Sequence, residues 1–316
     1  MPKHNKPRAG SLQIWPRKRA RKFLPSVNWR AISSGSGILG FIVYKVGMSS
    51  CVVKDNTAGS LTKDKRVVMP ATVLEMPPMK IFSVRFYKDR KVKDEILAEG
   101  LDKELKRKVK LMGKDKKSRN IDEVKEYDDV RIIVYSQVKN TGIKKTPDLI
   151  ELAVGGKVEE KLKLIKEKIG REIFASEILK DVKLVDVRGL SKGKGTAGPV
   201  KRFGIKLKSH KSEKGRRRPG TLGPWHPNRV SFRVAQAGQM GMQTRPKYNC
   251  KIIRIGKADE VVEKKEGWKN YGKIKTEYLI LSGSVPGPAK RQLIVTRALR
   301  PTRKQEKKTY DFEELR

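Results

Sequence analysis

The stretch "ILGFIVYKVGMSSCVV", residues Ile38 to Val53, is rich in the β-branched and aromatic side chains that favour extended strands. A second stretch near the other end of the chain, "YLILSGSVPGPAKRQLIVTRA" (278–298), predicts two more strands joined by a turn rich in Gly and Pro. Strands this far apart in sequence usually close one antiparallel barrel. We therefore expect a mainly β fold, with a barrel formed by residues 37–90 and 182–300.

The middle of the sequence has a different pattern. In "VEEKLKLIKEKIG" (158–170) apolar residues recur at spacings of four, three and four, which predicts a helix with one apolar face. A second helix is predicted at "DEILAEGLDKELKRKVKL" (94–111), and strands at "DVRIIVYSQV" and "LIELAVGG". We therefore expect an α/β subdomain, residues 91–181, inserted into the barrel. A basic extension (1–36) precedes the barrel and a short tail (301–316) follows it.

Charge limits the classes of partner. The 316 residues include 75 Lys and Arg against 34 Asp and Glu, a formal net charge of +41. So large a charge repels itself in a compact fold and is accounted for if a polyanion neutralises it. Nucleic acid is the first choice and an anionic membrane surface the second. The longest apolar run, residues 37–44, is far shorter than the roughly 20 residues of a spanning helix. We expect no membrane partner.

The positive charge lies in two blocks. The first acidic residue is Asp55, and residues 187–258 contain 19 Lys and Arg with one acid, Glu213. Residues 94–186, with 20 acids and 22 bases, are nearly neutral. A single run of charge is usually a solvated surface, but two long blocks almost free of acids indicate surfaces that bind phosphate.

The extension 1–36 lacks hydrophobic periodicity and is rich in Pro and Gly, so alone in water it should be disordered. Trp15 and Trp29 lie among its cations and suit stacking on bases or filling grooves of RNA. The alternative is an organelle presequence, but four prolines argue against the amphipathic helix that a presequence needs.

A glycine loop, "SKGKGTAGPVKRFGIK" (191–206), contains the spacing G-x-G-x-x-G. A dinucleotide loop follows a strand and opens a helix. Here a strand is predicted before the loop, but "VKRFGIKLK" (200–208) predicts a second strand after it. The acid expected about 20 residues on is missing except for Glu213, and the Walker pattern also fails. We therefore predict a flexible basic loop whose partner is a phosphate polymer.

Residues 209–249 form a long segment with little regular pattern, which is typical of functional or disordered loops. Its arginines suit phosphate because each guanidinium can bind two oxygens. Trp225 and His226 stand between two prolines that limit the backbone. His226 has no Ser, Cys or carboxylate near it in sequence, so we do not expect catalysis.

The Cys and His residues show no zinc-ligand spacing, and no cofactor or metal is predicted. Cys51 and Cys250 are expected to be buried thiols in a reducing compartment. A disulfide between them is the alternative that the sequence leaves open.

The motifs "LGFIVYKVGM", "LSKGKGTAGPVKRFGIK", "GPWHPNRV" and "AGQMGMQTRPKYNCKIIRIG" are specific in combination. They resemble the universal large-subunit ribosomal protein three family in its archaeal-eukaryotic form, from near the N-terminus to about Arg300. The resemblance implies a translation-factor-type β-barrel with an inserted α/β region. It also implies a non-catalytic protein of the cytoplasmic ribosome that binds large-subunit ribosomal RNA near its 3′ end and acts early in subunit assembly.

The resemblance further implies that the long loop, within residues 190–250, runs through RNA toward the peptidyl transferase centre, with Trp225 and His226 at its tip. Neighbouring large-subunit proteins are implied as partners, and no small-molecule substrate. Eukaryotic members carry a modified histidine shortly before the Trp-His-Pro motif. Glu213 stands at that position here and His210 is offset by three, so the modification is not transferred.

Charge, motifs and resemblance together give one set of predicted RNA contacts. The side chains are Lys3, Lys6, Arg8, Arg17, Lys18, Arg19, Arg21, Lys22, Lys192, Lys194, Lys201, Arg202, Arg216, Arg217, Arg218, Trp225, His226, Arg229, Arg233, Gln239, Arg245, Lys290 and Arg291. The glycines expected to allow close approach of an RNA backbone are Gly193, Gly195, Gly198, Gly238 and Gly241. An RNA-modifying enzyme and an architectural DNA binder are the alternatives. The first lacks a catalytic constellation, and the second does not explain the loop motifs.

Overall fold

The computed structural model describes Gly10 and residues 15–32, 35–110, 119–258 and 267–316. The fold is mainly β, as the sequence predicts. The chain divides into two compact units. We call residues 23–189 and 245–316 the core unit, and residues 1–22 and 190–244 the loop unit.

Fourteen strands and four α-helices are present in the described residues. The strands are β1 (Gly37–Ile38), β2 (Gly40–Asp55), β3 (Arg66–Met76), β4 (Met79–Lys88), β5 (Lys91–Leu97), β6 (Asp129–Ser136), β7 (Leu149–Gly155), β8 (Leu184–Leu190), β9 (Thr196–Ala197), β10 (Gly238–Gln239), β11 (Thr244–Gly256), β12 (Glu277–Ser282), β13 (Gln292–Arg297) and β14 (Tyr310–Leu315). The helices are α1 (Val158–Lys168), α2 (Ala175–Leu179), α3 (Pro199–Phe203) and α4 (Arg303–Glu306).

The larger sheet of the core unit has the order β13-β8-β11-β12-β3-β2-β14. Strand β13 also pairs with β2. Each of the six strands from β13 to β2 in this order is therefore paired with two neighbours. Ile42 lies opposite Ile294 in this closing pair, and both side chains are fully buried. The expectation that distant strands share one antiparallel sheet is therefore confirmed. The two strands predicted within 278–298 do not form a hairpin, because β12 pairs with β11 and β3 instead.

A second sheet has the order β1-β7-β6-β4-β5. The predicted strands at 129–138 and 149–156 are confirmed as β6 and β7, and the predicted helix at 158–170 is confirmed as α1, whose Ile165 is fully buried. Strand β4, which we predicted within the barrel segment 37–90, pairs with β5 and β6 in this sheet. Pro77 and Pro78 separate β3 from β4, and prolines cannot donate the hydrogen bonds that continue a strand ladder.

The predicted helix at 94–111 is wrong. Strand β5 occupies its start, and a 3-10 turn covers Lys103–Arg107; Leu111 lies outside the described residues. Ile96 pairs with Val84 of β4 and is buried, and Glu95 accepts a hydrogen bond from the Ser83 hydroxyl at 2.6 Å. Pairing along the sheet therefore overrides local helix propensity.

The predicted strand at 200–208 is also wrong. The chain forms the short helix α3, in which Pro199 is in the first turn and Gly204 ends the helix with φ of +65°. Proline suits a helix start, and glycine suits the left-handed residue that ends a helix. The glycine loop thus does precede a helix, but one of five residues.

Described residues of both terminal segments take part in the fold, although the extension 1–36 was predicted to be disordered when alone in water. Trp29 and Ile32, within the extension 1–36, are buried in the core, and the Trp29 indole donates a hydrogen bond to the Glu151 carbonyl at 3.0 Å. A base-stacking role for Trp29 is therefore wrong. In the predicted tail 301–316, β14 pairs with β2 at the edge of the larger sheet.

Buried carboxylates of the core unit accept hydrogen bonds from backbone N–H groups. Glu277 binds the first turn of α2, where the Ala175 and Ser176 amides lie 3.0 and 3.1 Å from its oxygen. Glu75 binds the Lys275 and Thr276 amides in the same way, at 2.8 and 3.0 Å. These acids stabilise connections between elements, because a buried carboxylate is tolerated only when it is fully hydrogen-bonded.

Candidate nucleic-acid interface

The loop unit concentrates positive charge. Residues 1–22 and 190–244 contain 21 Lys and Arg side chains and one acid, Glu213. Most of the predicted RNA contacts described in this unit are exposed: Lys18, Arg19, Arg21, Lys22, Lys192, Lys194, Lys201, Arg216, Arg217, Arg218, Arg229 and Arg233. Lys3, Lys6 and Arg8 lie outside the described residues. Because acids are so scarce, this surface keeps a strong positive potential.

Arg17 joins residues 15–22, which we call the N-terminal arm, to the rest of the loop unit. Its guanidinium lies 4.9 Å from the Trp15 ring centre and 4.3 Å from that of Phe203, and it donates to the Arg202 carbonyl at 3.5 Å. The Ala20 amide donates to the Met242 carbonyl at 2.8 Å. The first basic block is therefore anchored against the second, and Arg17 is half-buried between two rings.

Arg202 stabilises the second basic block. It leaves helix α3 beside the buried Phe203, and its Nε and Nη1 donate to the carbonyls of Gln239 and Gln236 at 3.2 and 3.0 Å. The Gln239 amide, predicted to contact RNA, donates instead to the carbonyls of Met240 and Gly241. Both side chains therefore order the loop.

The glycine loop folds as a small antiparallel ribbon. Gly238 pairs with Ala197 and Gln239 with Thr196, and the Met240 amide donates to the Gly195 carbonyl at 2.9 Å. Gly195 has φ of +61°, a left-handed conformation that favours glycine. This geometry fixes the segment that the sequence predicts to be flexible.

At three of the five predicted glycines, close packing within the protein explains why the residue has no side chain. A Cβ at Gly193 would lie 2.9 Å from Met242 Cγ, one at Gly238 2.9 Å from an Arg202 nitrogen, and one at Gly241 2.0 Å from the Lys192 carbonyl oxygen. Gly195 and Gly198 have open space where a Cβ would stand. Of the five glycines, these two therefore have space for a partner on the Cβ side.

The middle of the long segment presents its side chains outward. Trp225 is 86 % exposed, and His226 and Arg229 are exposed as well. Residues 204–237 have no helix or strand, which agrees with the prediction for the first part of the segment 209–249. Its last part differs from the prediction, because β10 and the start of β11 lie there. Arg216 donates to the Lys208 carbonyl, and Lys208 returns a backbone hydrogen bond to the Arg216 carbonyl, so a local turn carries the three adjacent arginines.

Three predicted contacts belong to the core unit. Lys290 is exposed in a turn whose amide binds the Lys45 carbonyl at 2.7 Å. The ammonium of buried Lys45 donates to the carbonyls of Val285 and Gly287 at 2.8 and 3.1 Å. Arg291 lies 5.1 Å from the Phe23 ring centre, and burial lowers its pKa. Arg245 is half-buried in β11.

Several side chains that order this interface were not predicted from the sequence. Phe203, Phe232 and Met242 contact the predicted cations or glycines, and Lys45 supports the turn that carries Lys290. An aromatic residue next to Arg, as in "RF" and "FR", is a signal that could have indicated the two phenylalanines.

Other chemistry has little support in the described residues. No group of three or more His, Cys, Asp or Glu side chains there could hold a metal ion. No helix of the described chain is long and apolar enough to cross a membrane. Cys51 and Cys250 are both free and buried, so the question of a disulfide is answered, and burial raises the pKa of each thiol to about 11.

Comparison with known proteins identifies close relatives. Residues 1–315 match the family model described as ribosomal protein L3. The chain is 40% identical over 321 residues to the large ribosomal subunit protein uL3 of Methanobrevibacter smithii, covering 97% of this chain and 95% of the relative. The protein of the same name from Archaeoglobus fulgidus is 40% identical over 313 residues, covering 95% and 93% of the two chains. That from Methanocaldococcus jannaschii is 38% identical over 309 residues, covering 94% and 92%.

Proposed function

Because the chain belongs to the ribosomal protein L3 family, whose members are structural and non-enzymatic constituents of the large ribosomal subunit, we propose that it binds large-subunit ribosomal RNA directly through its loop unit. The observation that carries this proposal is the composition of that unit, which has 21 cations and one acid in residues 1–22 and 190–244. RNA phosphates neutralise such a surface, and the release of condensed counterions drives binding.

The finer proposal concerns place and timing. We infer that the chain acts in the cytoplasmic ribosome, binds near the 3′ region of the RNA and supports early subunit assembly. Its long loop extends toward the peptidyl transferase centre with Trp225 and His226 at the tip. The 86 % exposure of Trp225 supports this, since a ring so exposed gives the fold little stability and suits a partner's surface. The resemblance of the motifs supports the remainder.

We also propose that the larger sheet is the translation-factor-type barrel of the family, with the α/β region inserted in it. The double pairing of β13 with β8 and β2 supports this, because a closed sheet requires each strand to have two neighbours. Neighbouring large-subunit proteins are further proposed partners. No cofactor or small-molecule substrate is part of the proposal.

The test is RNA crosslinking with sequencing on cell lysate fractionated by density. Crosslinks from the segment 209–249 should map to RNA of the peptidyl transferase region. The protein should sediment with the large subunit at one copy per subunit. Crosslinks spread over many RNAs in light fractions would contradict the proposal. They would favour a general nucleic-acid binder or an enzyme present in less than stoichiometric amounts.

A further inference from the structure

A shallow groove lies within the loop unit, between the N-terminal arm and the long segment. It has a volume of about 520 Å³ and is lined by Trp15, Pro16, Arg17, Lys18, Arg202 and Phe232. Four of these residues come from the arm and two from the second basic block. The groove therefore exists only when the two blocks pack together.

Phe232 is the open wall of this groove. Its side chain is 65 % exposed although its ring contacts Trp15 edge to face, with ring centres 5.3 Å apart and planes at 80°. Together with Trp15, this exposed ring forms an aromatic surface in a cationic part of the chain, which suits a partner that can stack on it. The exposed part of the wall is a flat apolar surface.

Cations surround the flat wall. The Arg233 guanidinium lies 5.6 Å from the centre of the Phe232 ring, and Arg17 lies 4.9 Å from that of Trp15. Lys18 is exposed at the rim. A suitable occupant therefore combines a flat apolar face with negative charge beside it. A phosphate ion lacks the flat face, and an acidic peptide segment carries its rings and its negative charges on different residues.

We propose that this groove holds an unpaired nucleobase of RNA, stacked on Phe232, with the adjoining phosphates beside Lys18 and Arg233. Single-stranded RNA supplies both parts, because its bases stack on aromatic side chains while its backbone follows cationic grooves. The inference rests on the proposed RNA-binding function and adds a base-stacking site to it.

The groove is already formed in the protein. Arg17 is held between the rings of Trp15 and Phe203, and Arg202 is held by the carbonyls of Gln239 and Gln236. An ordered wall reduces the conformational entropy lost when the base binds. Binding should therefore depend on the base itself as well as on total charge.

The first experiment compares two probes on the full chain, an oligouridylate of about 12 nucleotides and an abasic ribose-phosphate chain of the same length. Wild type should bind the oligouridylate more tightly. In the variant Phe232→Ala that preference should fall about tenfold, while the slope of affinity against salt stays unchanged. Phe174→Ala is the matched control, because Phe174 is an exposed phenylalanine of the nearly neutral region, and it should retain the preference.

The second measurement locates the base. Irradiation of the complex with an oligouridylate that contains 5-iodouridine should crosslink Trp15 or Phe232. In purified large subunits, a photoreactive phenylalanine analogue in place of Phe232 should crosslink to ribosomal RNA. Crosslinking of that analogue to a protein, or an unchanged base preference in Phe232→Ala, would overturn the proposal. Salt-dependent binding of both probes would then leave the RNA-binding function standing, whereas no binding of either would contradict that function too.

Discussion

The nearly neutral region, residues 94–186, and the loop unit use charge in opposite ways. Arg131 of β6 binds Glu151 and Asp129 at 3.0 and 3.2 Å, and Lys161 of helix α1 binds Asp129 at 2.6 Å. In the loop unit, Arg17 and Arg202 bind carbonyls and aromatic rings, and most other cations are exposed. The cations Arg131 and Lys161 are thus neutralised by acids within the protein.

The two regions therefore obtain their stability in different ways. Cations paired with acids contribute to the fold, and removing either partner leaves a desolvated charge. Exposed cations without acids contribute little to the fold and raise its self-repulsion, which a polyanion relieves. Substitutions in the core unit should therefore change the free energy of unfolding, and substitutions in the loop unit should change RNA affinity.

The two tryptophans of these regions give the largest expected contrast. Trp29→Ala should lower the free energy of unfolding by about 3–5 kcal/mol, because it empties a buried site and removes the hydrogen bond to the Glu151 carbonyl. Trp225→Ala should change it by less than about 0.5 kcal/mol, since the ring is 86 % exposed. Urea denaturation of both variants measures the difference. Equal losses would show that the loop tip belongs to the fold.

The three adjacent arginines give the next largest effect. Replacing Arg216, Arg217 and Arg218 together by Gln should weaken RNA binding on the order of 100-fold near 0.1 M salt, because each lost phosphate contact removes about 0.7 from the salt slope. The unfolding free energy should stay within about 0.5 kcal/mol of wild type.

A matched control removes the same charge from the nearly neutral region. The triple replacement of Lys139, Lys163 and Lys166 by Gln should leave RNA affinity and its salt slope nearly unchanged. Titrations with a single-stranded RNA at several salt concentrations give both quantities. If both triple variants lost affinity equally, total charge would govern binding and the contrast between the units would fail.

Much of the fold could be predicted from the sequence because hydrophobic periodicity is a local signal. Helix α1 and strands β6, β7 and β12 follow it closely. Strand β5 could not be predicted, since "DEIL" favours a helix locally and becomes a strand through pairing with β4. Helix α3 was missed because alternation in "VKRFGIK" outweighed the signals of Pro199 and Gly204.

The positive charge of the candidate site could be predicted from the sequence, but the contacts of its individual side chains could not. Composition located both basic blocks, and most of their described cations are exposed. It could not indicate that Arg17, Arg202 and Gln239 bind protein groups, because those contacts join residues far apart in sequence. For the same reason Phe232 could not be predicted as part of the site, because its role depends on the contact with Trp15, which is distant in sequence.

Two carboxylates, one in each region, should give a smaller contrast. Glu151→Ala should lower the unfolding free energy by about 2 kcal/mol, because Arg131, Arg85 and the Tyr87 hydroxyl lose a shared acceptor in a half-buried setting. Glu213→Ala should be neutral in stability and should slightly strengthen RNA binding, since it removes the one acid of the loop unit. Denaturation and RNA titration of each variant check both expectations. Loss of stability in Glu213→Ala would mean that the loop unit also depends on paired charge.

The smallest expected effect concerns the thiols of the core unit. Burial raises the pKa of Cys51 and Cys250 to about 11, so the folded state favours the protonated thiol. An unfolded thiol ionises near pH 8.5, so the thiols' contribution to stability is complete below that pH and is lost as the pH rises toward 11.

At pH 8 both thiols should react with a disulfide reagent about 100-fold more slowly in the native protein than after denaturation, because the thiolate is the nucleophile. The variant Val230→Cys places a thiol in the exposed, cationic part of the loop unit and should react rapidly without denaturant. Absorbance of the released reagent measures all three rates. Fast native reaction of Cys250 would show that the core unit opens readily, and the contrast between a closed core and an accessible loop would then be lost.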